Sequence, residues 1–369
     1  MNEFKGFPVE RILTHIGPHA DEDAAIWLLK KFGEPIFPGI SKARIEYWGK
    51  PGLPEGLRPD QHAKNGTLPV GLGGGPLDEH ATSLNGNAVK SEDCAMTLVA
   101  KALGVQDDPA LKPILSYVLN ADKSPATHPF DIATMAKEMN LIYPDRPDLV
   151  MAWATAAFEA KYQNNLRRQE AWKVINNAKV ETVAGPTERP YSLMVIESDN
   201  AYSSALARSK TGGMIDIVIQ KNSKGNVAIN ASTYSGTKLF DVAKLIRVEE
   251  QRAKGLGDQE LGLVTSNWRD LSAVGSVPGA ENWYFTEQLN GLLNGSHSRP
   301  DAKPTLIPLK RIVELVRLGI NIRQFEPSRA SKCQAGICTS TRSNPCPLFE
   351  YHLHRCHLVQ NSAGPGRIA

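Results

Sequence analysis

The stretch Thr14-His15-Ile16-Gly17-Pro18-His19-Ala20-Asp21-Glu22-Asp23 decides how this chain is read. It follows the apolar pair Ile12-Leu13 and precedes an apolar run from Ala24 to Phe32 that stops at Gly33. That pattern spells strand, polar loop, helix. Two imidazoles and three carboxylates crowd a loop at the carboxyl end of a strand, the edge where open α/β sheets bind ligands. A helix N-terminus uses one such carboxylate as a cap. It has no use for two histidines, whereas divalent cations take this donor set.

Working outward, strands and helices alternate. Val9 to His15 reads as a strand, Ala24 to Phe32 as a helix, Ala43 to Trp48 as a strand, and Leu68 to Leu72 as a short strand running into Gly73-Gly74-Gly75. A helix opened at Ser91 puts Cys94, Ala95, Leu98, Val99 and Ala102 on one face and closes at Gly104, which makes Cys94 a core residue. Pro109 to Asn120 and Pro129 to Met139 read as further helices. This order predicts a mainly parallel sheet covered by helices. A long helix from Asp148 to Asn177 follows as a connector. Beyond it come a strand (Leu193 to Glu197), a short helix (Ala201 to Arg208), a β-hairpin (Met214 to Gln220 with Asn226 to Ala231) and a helix from Leu239 to Lys254. Trp283 to Leu293 and Leu309 to Leu318 are expected to be helical. The expected organisation is an α/β domain over 1–145, a helical connector over 146–190, a second, smaller α/β domain over 191–326, and an irregular Cys/His-rich tail over 327–369.

The bulk numbers suit a globular protein. Charged residues make up 22% and hydrophobic residues 41% of 369. The net charge of +3 implies no strong polyanion field, and it is carried by the tail, where Lys332, Arg342, Arg355 and Arg367 face a single Glu350. No apolar run approaches the ~18 residues of a membrane span. The N-terminus lacks the apolar segment of a secretory signal, and five cysteines do not make a disulfide scaffold, so the cytoplasm is the expected location.

Two further clusters carry chemistry. Gly73-Gly74-Gly75 is followed by Asp78-Glu79-His80 after the second short strand, which could put both clusters at one sheet edge. Asn120-Ala121-Asp122-Lys123 ends an apolar helix and reads first as a solvated terminus. Together the three spots resemble the DHH phosphoesterase superfamily. Its first motif, His-x-x-x-Asp-x-Asp after a strand, corresponds to His15, His19 and Asp21. Its Asp-His-His motif corresponds to Asp78-Glu79-His80, and its later Asp to Asp122. The second His of the first motif and the preceding Gly-Gly are similar to the melanocyte-proliferating-gene branch of exonuclease-like proteins. The resemblance spans roughly residues 8–125 and is loose beyond about 190. Two positions depart from the pattern. Gly71 stands where the superfamily carries a metal-bridging Asp, and Glu79 replaces the middle His.

The resemblance implies Mn²⁺- or Mg²⁺-dependent hydrolysis of a phosphodiester in a nucleotide or short nucleic acid. His15, His19, Asp21, Asp78, Glu79 and Asp122 would be the metal ligands, with His80 and Asp78 catalytic. It also implies a substrate-gripping second domain, for which Arg208, Lys221, Asn222, His297 and Arg299 are the candidates. For Lys221 and Asn222 a solvated hairpin tip is the competing reading. A catalytically inactive relative that binds nucleotide or nucleic acid, and a metal-dependent hydrolase of a non-phosphate substrate, are the alternatives. No membrane partner is expected, and homodimerisation is left open. In the tail, Cys333, Cys338, Cys346 and Cys356 supply the four thiolates that Zn²⁺ or an iron–sulfur cluster requires, at a spacing unlike that of usual zinc sites. A disordered basic extension is the other reading.

Overall fold

The computed structural model describes residues 6–82, 88–90, 92–124, 128–183, 189–256, 270–295 and 301–320, and in the tail 329, 331–332, 335, 337–341, 343–344, 346 and 351. The chain is mixed α/β and divides into two compact units, Met1–Arg167 and Arg168–Ala369. Among the described residues no helix is long and apolar enough to cross a membrane.

The first unit contains β1 (Arg11–His15), α1 (Ala20–Phe32), β2 (Arg44–Trp48), α2 (Pro59–Lys64), β3 (Thr67–Pro69), the small hairpin β4 (His80–Thr82) and β5 (Ala88–Lys90), then α3 (Ala95–Leu103), α4 (Lys112–Lys123) and α5 (Ile132–Ile142). Helix α6 (Pro147–Asn177) begins in it. The sheet has three parallel strands in the order β2-β1-β3, in register Ile12↔Ile45 and Ile12↔Leu68. β1 is the central strand, and both its faces are covered. Ile12 packs into the main core with α1, α3 and α4, while Leu13 packs with Leu53 and Leu72. Chain order reverses at β1, because β2 lies on one side of it and β3 on the other. The crevice beyond the carboxyl ends of β1 and β3 is therefore the switch point of the sheet. Trp27 stacks on Phe158 with centroids 5.9 Å apart and donates to Glu159, which fixes α1 against α6.

Helix α1 starts four residues earlier than the apolar run suggests. Pro18 and His19 precede it, and the His19 N–H donates to Glu22 Oε2 at 2.7 Å, so Asp21, Glu22 and Asp23 form its first turn. Carboxylates are stabilised there by the helix dipole.

The second unit contains the end of α6, then β6 (Val180–Val183), β7 (Tyr191–Glu197), α7 (Tyr202–Arg208), β8 (Ile217–Lys221), β9 (Val227–Ala231), α8 (Phe240–Ala253), β10 (Trp283–Thr286), β11 (Gly291–Asn294) and α9 (Leu309–Ile320). Its sheet is mixed and has six strands, in the order β10-β11-β9-β8-β7-β6. One face is covered by α8 and α9, the other by α7 and the Trp172–Ile175 turn of α6. β8 and β9 form the hairpin expected from alternation, in register Ile219↔Ile229.

The helix expected over Trp283 to Leu293 is instead the β10–β11 hairpin, with Tyr284 opposite Leu293 and Phe285 opposite Leu292. Three successive aromatics favour a strand, and Asn290, at φ +45°, turns the chain. The Trp283 Nε1–H donates to the fully buried Glu250 of α8 at 3.0 Å, a contact that local periodicity does not reveal. In the tail, Tyr351 is buried against the α8–α9 core and its hydroxyl donates to Glu249 at 2.6 Å.

Candidate metal centre

The switch-point crevice gathers four acidic residues of the first unit. Asp21 and Glu22 come from the first turn of α1, Glu79 from the loop after β3, and Asp122 from the last turn of α4. Three groups of side chains place their donor atoms within 4.8 Å of one another: His19, Asp21 and Glu22; Asp21, Glu79 and Asp122; and Asp78, Glu79 and His80. Each could hold a metal ion. The first two share Asp21.

Burial makes this cluster unusual. Asp21, Glu22, Asp23 and Glu79 are all 3% exposed or less. Surface helices carry consecutive acidic residues in water, whereas these sit in low dielectric, where ionised carboxylates need compensation. Burial and then the Asp122 charge raise the Asp21 carboxyl. Burial, followed by Asp21 and Glu79, holds Glu22 well above the carboxylate range. Glu79 is pushed up to about 7 by burial and by Asp21. Burial likewise raises Asp23. Glu79 Oε2 and both carboxylate oxygens of Asp23 have no hydrogen-bond partner among the described residues. The N–H of Ala95, in the first turn of α3, points a positive helix end at Asp21 Oδ2 at 3.3 Å.

The glycine-rich loop is built to deliver Glu79. Gly71, Gly73 and Gly74 all have φ between +68° and +84°, where side-chain-bearing residues are strained. Asp78 locks this turn. Its Oδ2 accepts from the Gly74 N–H at 2.6 Å and its Oδ1 from the His80 N–H at 2.9 Å. With its oxygens so engaged, Asp78 acts as the organiser of the loop. His80 is exposed, and its Nδ1 lies 3.1 Å from Asp78 Oδ1.

His15 is not a member of the three groups. Its Nε2 lies 2.7 Å from the carbonyl oxygen of Gly71. A carbonyl only accepts, so Nε2 carries a proton, and Nδ1 is the ring nitrogen left to act as a metal ligand. Glu22 is the member that sequence reasoning left out of the ligand set. The available signal was three carboxylates in one helical turn, too many for capping alone.

In the second unit, Arg208 and Asn222 line a cavity of about 700 Å³ together with Lys224, Gln220 and Asn230. Two guanidinium nitrogens of Arg208 donate to the carbonyls of Ser204 and Ala231. Lys221 does not line it, and its ammonium lies 3.9 Å from Glu197. His297 and Arg299 lie outside the described residues, as do Cys333 and Cys356. Of the two described tail cysteines, Cys338 is exposed and Cys346 packs against the α8–α9 core. Cys94 is fully buried, and burial pushes its thiol up to about 11, in keeping with a core residue.

No family model matches the sequence, and no curated protein does. A crystal structure of an uncharacterized protein from Helicobacter pylori G27 aligns with 85% of this chain and 99% of its own, at 13% identity and a TM-score of 0.24. That likeness is too low to carry an argument about fold or function.

Proposed function

We propose that this chain is a divalent-cation-dependent phosphoesterase that hydrolyses a phosphodiester in a nucleotide or short nucleic acid. The observation that carries the reading is the meeting of Asp21, Glu79 and Asp122 at the switch point, with the buried Glu79 Oε2 lacking a hydrogen-bond partner among the described residues. A core gains nothing from an orphaned carboxylate oxygen, which costs about 1–3 kcal/mol or more for a charged group. A bound cation removes that cost. The donors are mostly carboxylate oxygens with one imidazole, a set that suits Mn²⁺ or Mg²⁺. When bound, such a cation stabilises charge developing on a phosphoryl group and acidifies water.

The chain's own groups would do the rest. Asp21, Glu79 and Asp122 would hold the cation, with His19 and Glu22 beside them. Hydrogen-bonding to Asp78 Oδ1 fixes one His80 proton on Nδ1, so the imidazolium form would give its second proton, on Nε2, to the leaving oxygen as general acid and be left as the neutral Nδ1–H ring. Arg208, Asn222 and Lys224 would contribute polar and cationic contacts to an anionic ligand in the cavity of the second unit.

The test is a panel of nucleotides, short oligonucleotides and bis(p-nitrophenyl) phosphate, incubated with EDTA-stripped protein before and after Mn²⁺ addition. Hydrolysis that requires Mn²⁺ and is lost in Asp21→Asn supports the reading. If Mn²⁺ and nucleotide bind without turnover, the protein is a binding relative. Mn²⁺-dependent hydrolysis confined to non-phosphate substrates would identify a different hydrolase.

A further inference from the structure

We propose that Glu22 is a cation ligand admitted by Gly71: it occupies the place a side chain at position 71 would fill, and with His19 and Asp21 it forms a second cation position beside that of Asp21, Glu79 and Asp122. The proposal rests on the cation-dependent reading above.

The first observation is steric. A Cβ on Gly71 would lie 2.5 Å from Glu22 Cγ, 2.9 Å from Oε1 and 3.2 Å from Cδ. Real Cβ atoms do not make such contacts, so the two side chains exclude one another. Gly71 also sits at φ +68°, which glycine adopts freely. The superfamily resemblance implies an acid at position 71. The structure instead brings a carboxylate into that space from α1.

The second observation is the placement of the Glu22 carboxyl. Its Oε2 accepts the His19 N–H at 2.7 Å, and Oε1 is the carboxylate oxygen nearer the space over Gly71. Donor atoms of His19, Asp21 and Glu22 fall within 4.8 Å of one another, as do those of Asp21, Glu79 and Asp122. Ligands of a single ion at about 2.0–2.3 Å lie no more than about 4.6 Å apart, so donor atoms this close can share an ion after only small side-chain shifts. Asp21 belongs to both groups, so it is the shared corner of two adjacent positions.

The third observation is independent of α1. Glu79 arrives from the loop after β3, is 2% exposed, and has an oxygen without a hydrogen-bond partner among the described residues. A helix cap needs only an acceptor for the His19 N–H, and an amide would cap equally well.

That last point supplies the test. Full-length protein stripped with EDTA is titrated with Mn²⁺ by calorimetry, and bound metal is counted by elemental analysis. The wild type is expected to take up two Mn²⁺. Glu22→Gln keeps an acceptor for the His19 N–H and is expected to lose one equivalent, or to weaken it about tenfold or more. Its cation-free melting temperature should equal or exceed that of wild type, since a buried charge is gone. Gly71→Ala pushes the carboxylate aside and should produce the same metal loss, which keeps the test intact if Glu22→Gln misfolds. The exchange Glu22→Ala with Gly71→Asp should regain the lost equivalent. Unchanged Mn²⁺ stoichiometry and affinity in both Glu22→Gln and Gly71→Ala would overturn the relocation while leaving the cation site standing. A wild type that takes up no Mn²⁺ would sink the cation reading and this proposal with it.

Discussion

His80 Nδ1 lies 3.1 Å from Asp78 Oδ1, and the same carboxylate accepts the backbone N–H groups of His80 and Gly74. One side chain thus sets both the shape of the glycine turn and the tautomer of the exposed imidazole.

Because the imidazole is exposed and oriented, its loss should cost chemistry rather than folding. In the proposed phosphoesterase, His80→Gln should lower kcat by about 10²–10⁴-fold, the usual worth of a general acid. Mn²⁺ uptake at Asp21, Glu79 and Asp122 should persist. Asp78→Ala should act differently, destabilising the fold by about 1–3 kcal/mol as the turn loses its acceptor. Steady-state kinetics and urea unfolding of the two variants distinguish these outcomes. Equal losses of stability would remove His80 from the chemistry.

Asp23 is fully buried, and both its oxygens lack a partner among the described residues. Ala is the better helix former and leaves nothing polar to satisfy. Against this stand a small cavity and the lost first-turn charge. Asp23→Ala should therefore stabilise the cation-free protein, by on the order of 1 kcal/mol. Burial raises the Asp23 carboxyl, so its ionisation becomes costly as pH climbs, and the gain should be larger at about pH 8 than at about pH 5. Urea midpoints at the two pH values check this. A destabilised variant would show that Asp23 has a partner in the working protein.

Elements whose burial follows local periodicity were legible in the sequence. The alternating Ile217, Ile219 and Val227, Ile229 give away the β8–β9 hairpin, and Gly104, at φ +69°, ends α3 as expected. The His15–Asp23 stretch does lie at the carboxyl end of a central parallel strand. What failed depended on distant partners. Trp283 is a strand residue held by Glu250 of α8, and nothing within its own window shows that. Glu22 was absent from the expected ligand set because its neighbour Gly71 is remote in sequence. For Lys221 a ligand-gripping role and a solvated hairpin tip were both open, and it is Lys224, three residues along, that lines the cavity.

That contrast in the second unit is itself testable. Lys224 and Asn222 line the cavity of about 700 Å³, whereas Lys221 pairs with Glu197 outside it. If an anionic ligand occupies the cavity, Lys224→Ala should raise its Kd several-fold and flatten its salt dependence, as expected when one exposed cation is removed. Lys221→Ala should change neither. Fluorescence titration with a labelled nucleotide at two salt concentrations reads both. Equal effects of the two substitutions would point to a diffuse surface field rather than a site.

The acidic cluster also fixes a sign for the pH dependence of stability. Asp21, Glu22, Asp23 and Glu79 all have raised carboxyls in the folded, cation-free chain. A group raised on folding contributes stability in full below its unfolded value and loses it as pH rises through its folded one. For Glu79 that window runs from 4.5 to about 7. The carboxylates lowered by partners, such as Glu249 beside Arg311 and Asp93 beside Lys101, work in the opposite direction, but only around and below their ordinary values of 4.5 and 3.8. Between about pH 5 and about pH 8 the cluster should therefore dominate, and the melting temperature in EDTA should fall as pH rises. Mn²⁺ binds the ionised carboxylates and competes with protons, so it should raise the melting temperature more at the alkaline end than at the acidic end. Thermal melts across this range, with and without Mn²⁺, decide the matter. A melting temperature in EDTA that climbs with pH would mean that the four carboxylates are already compensated within the protein, and the case for a cation at the switch point would lose its physical basis.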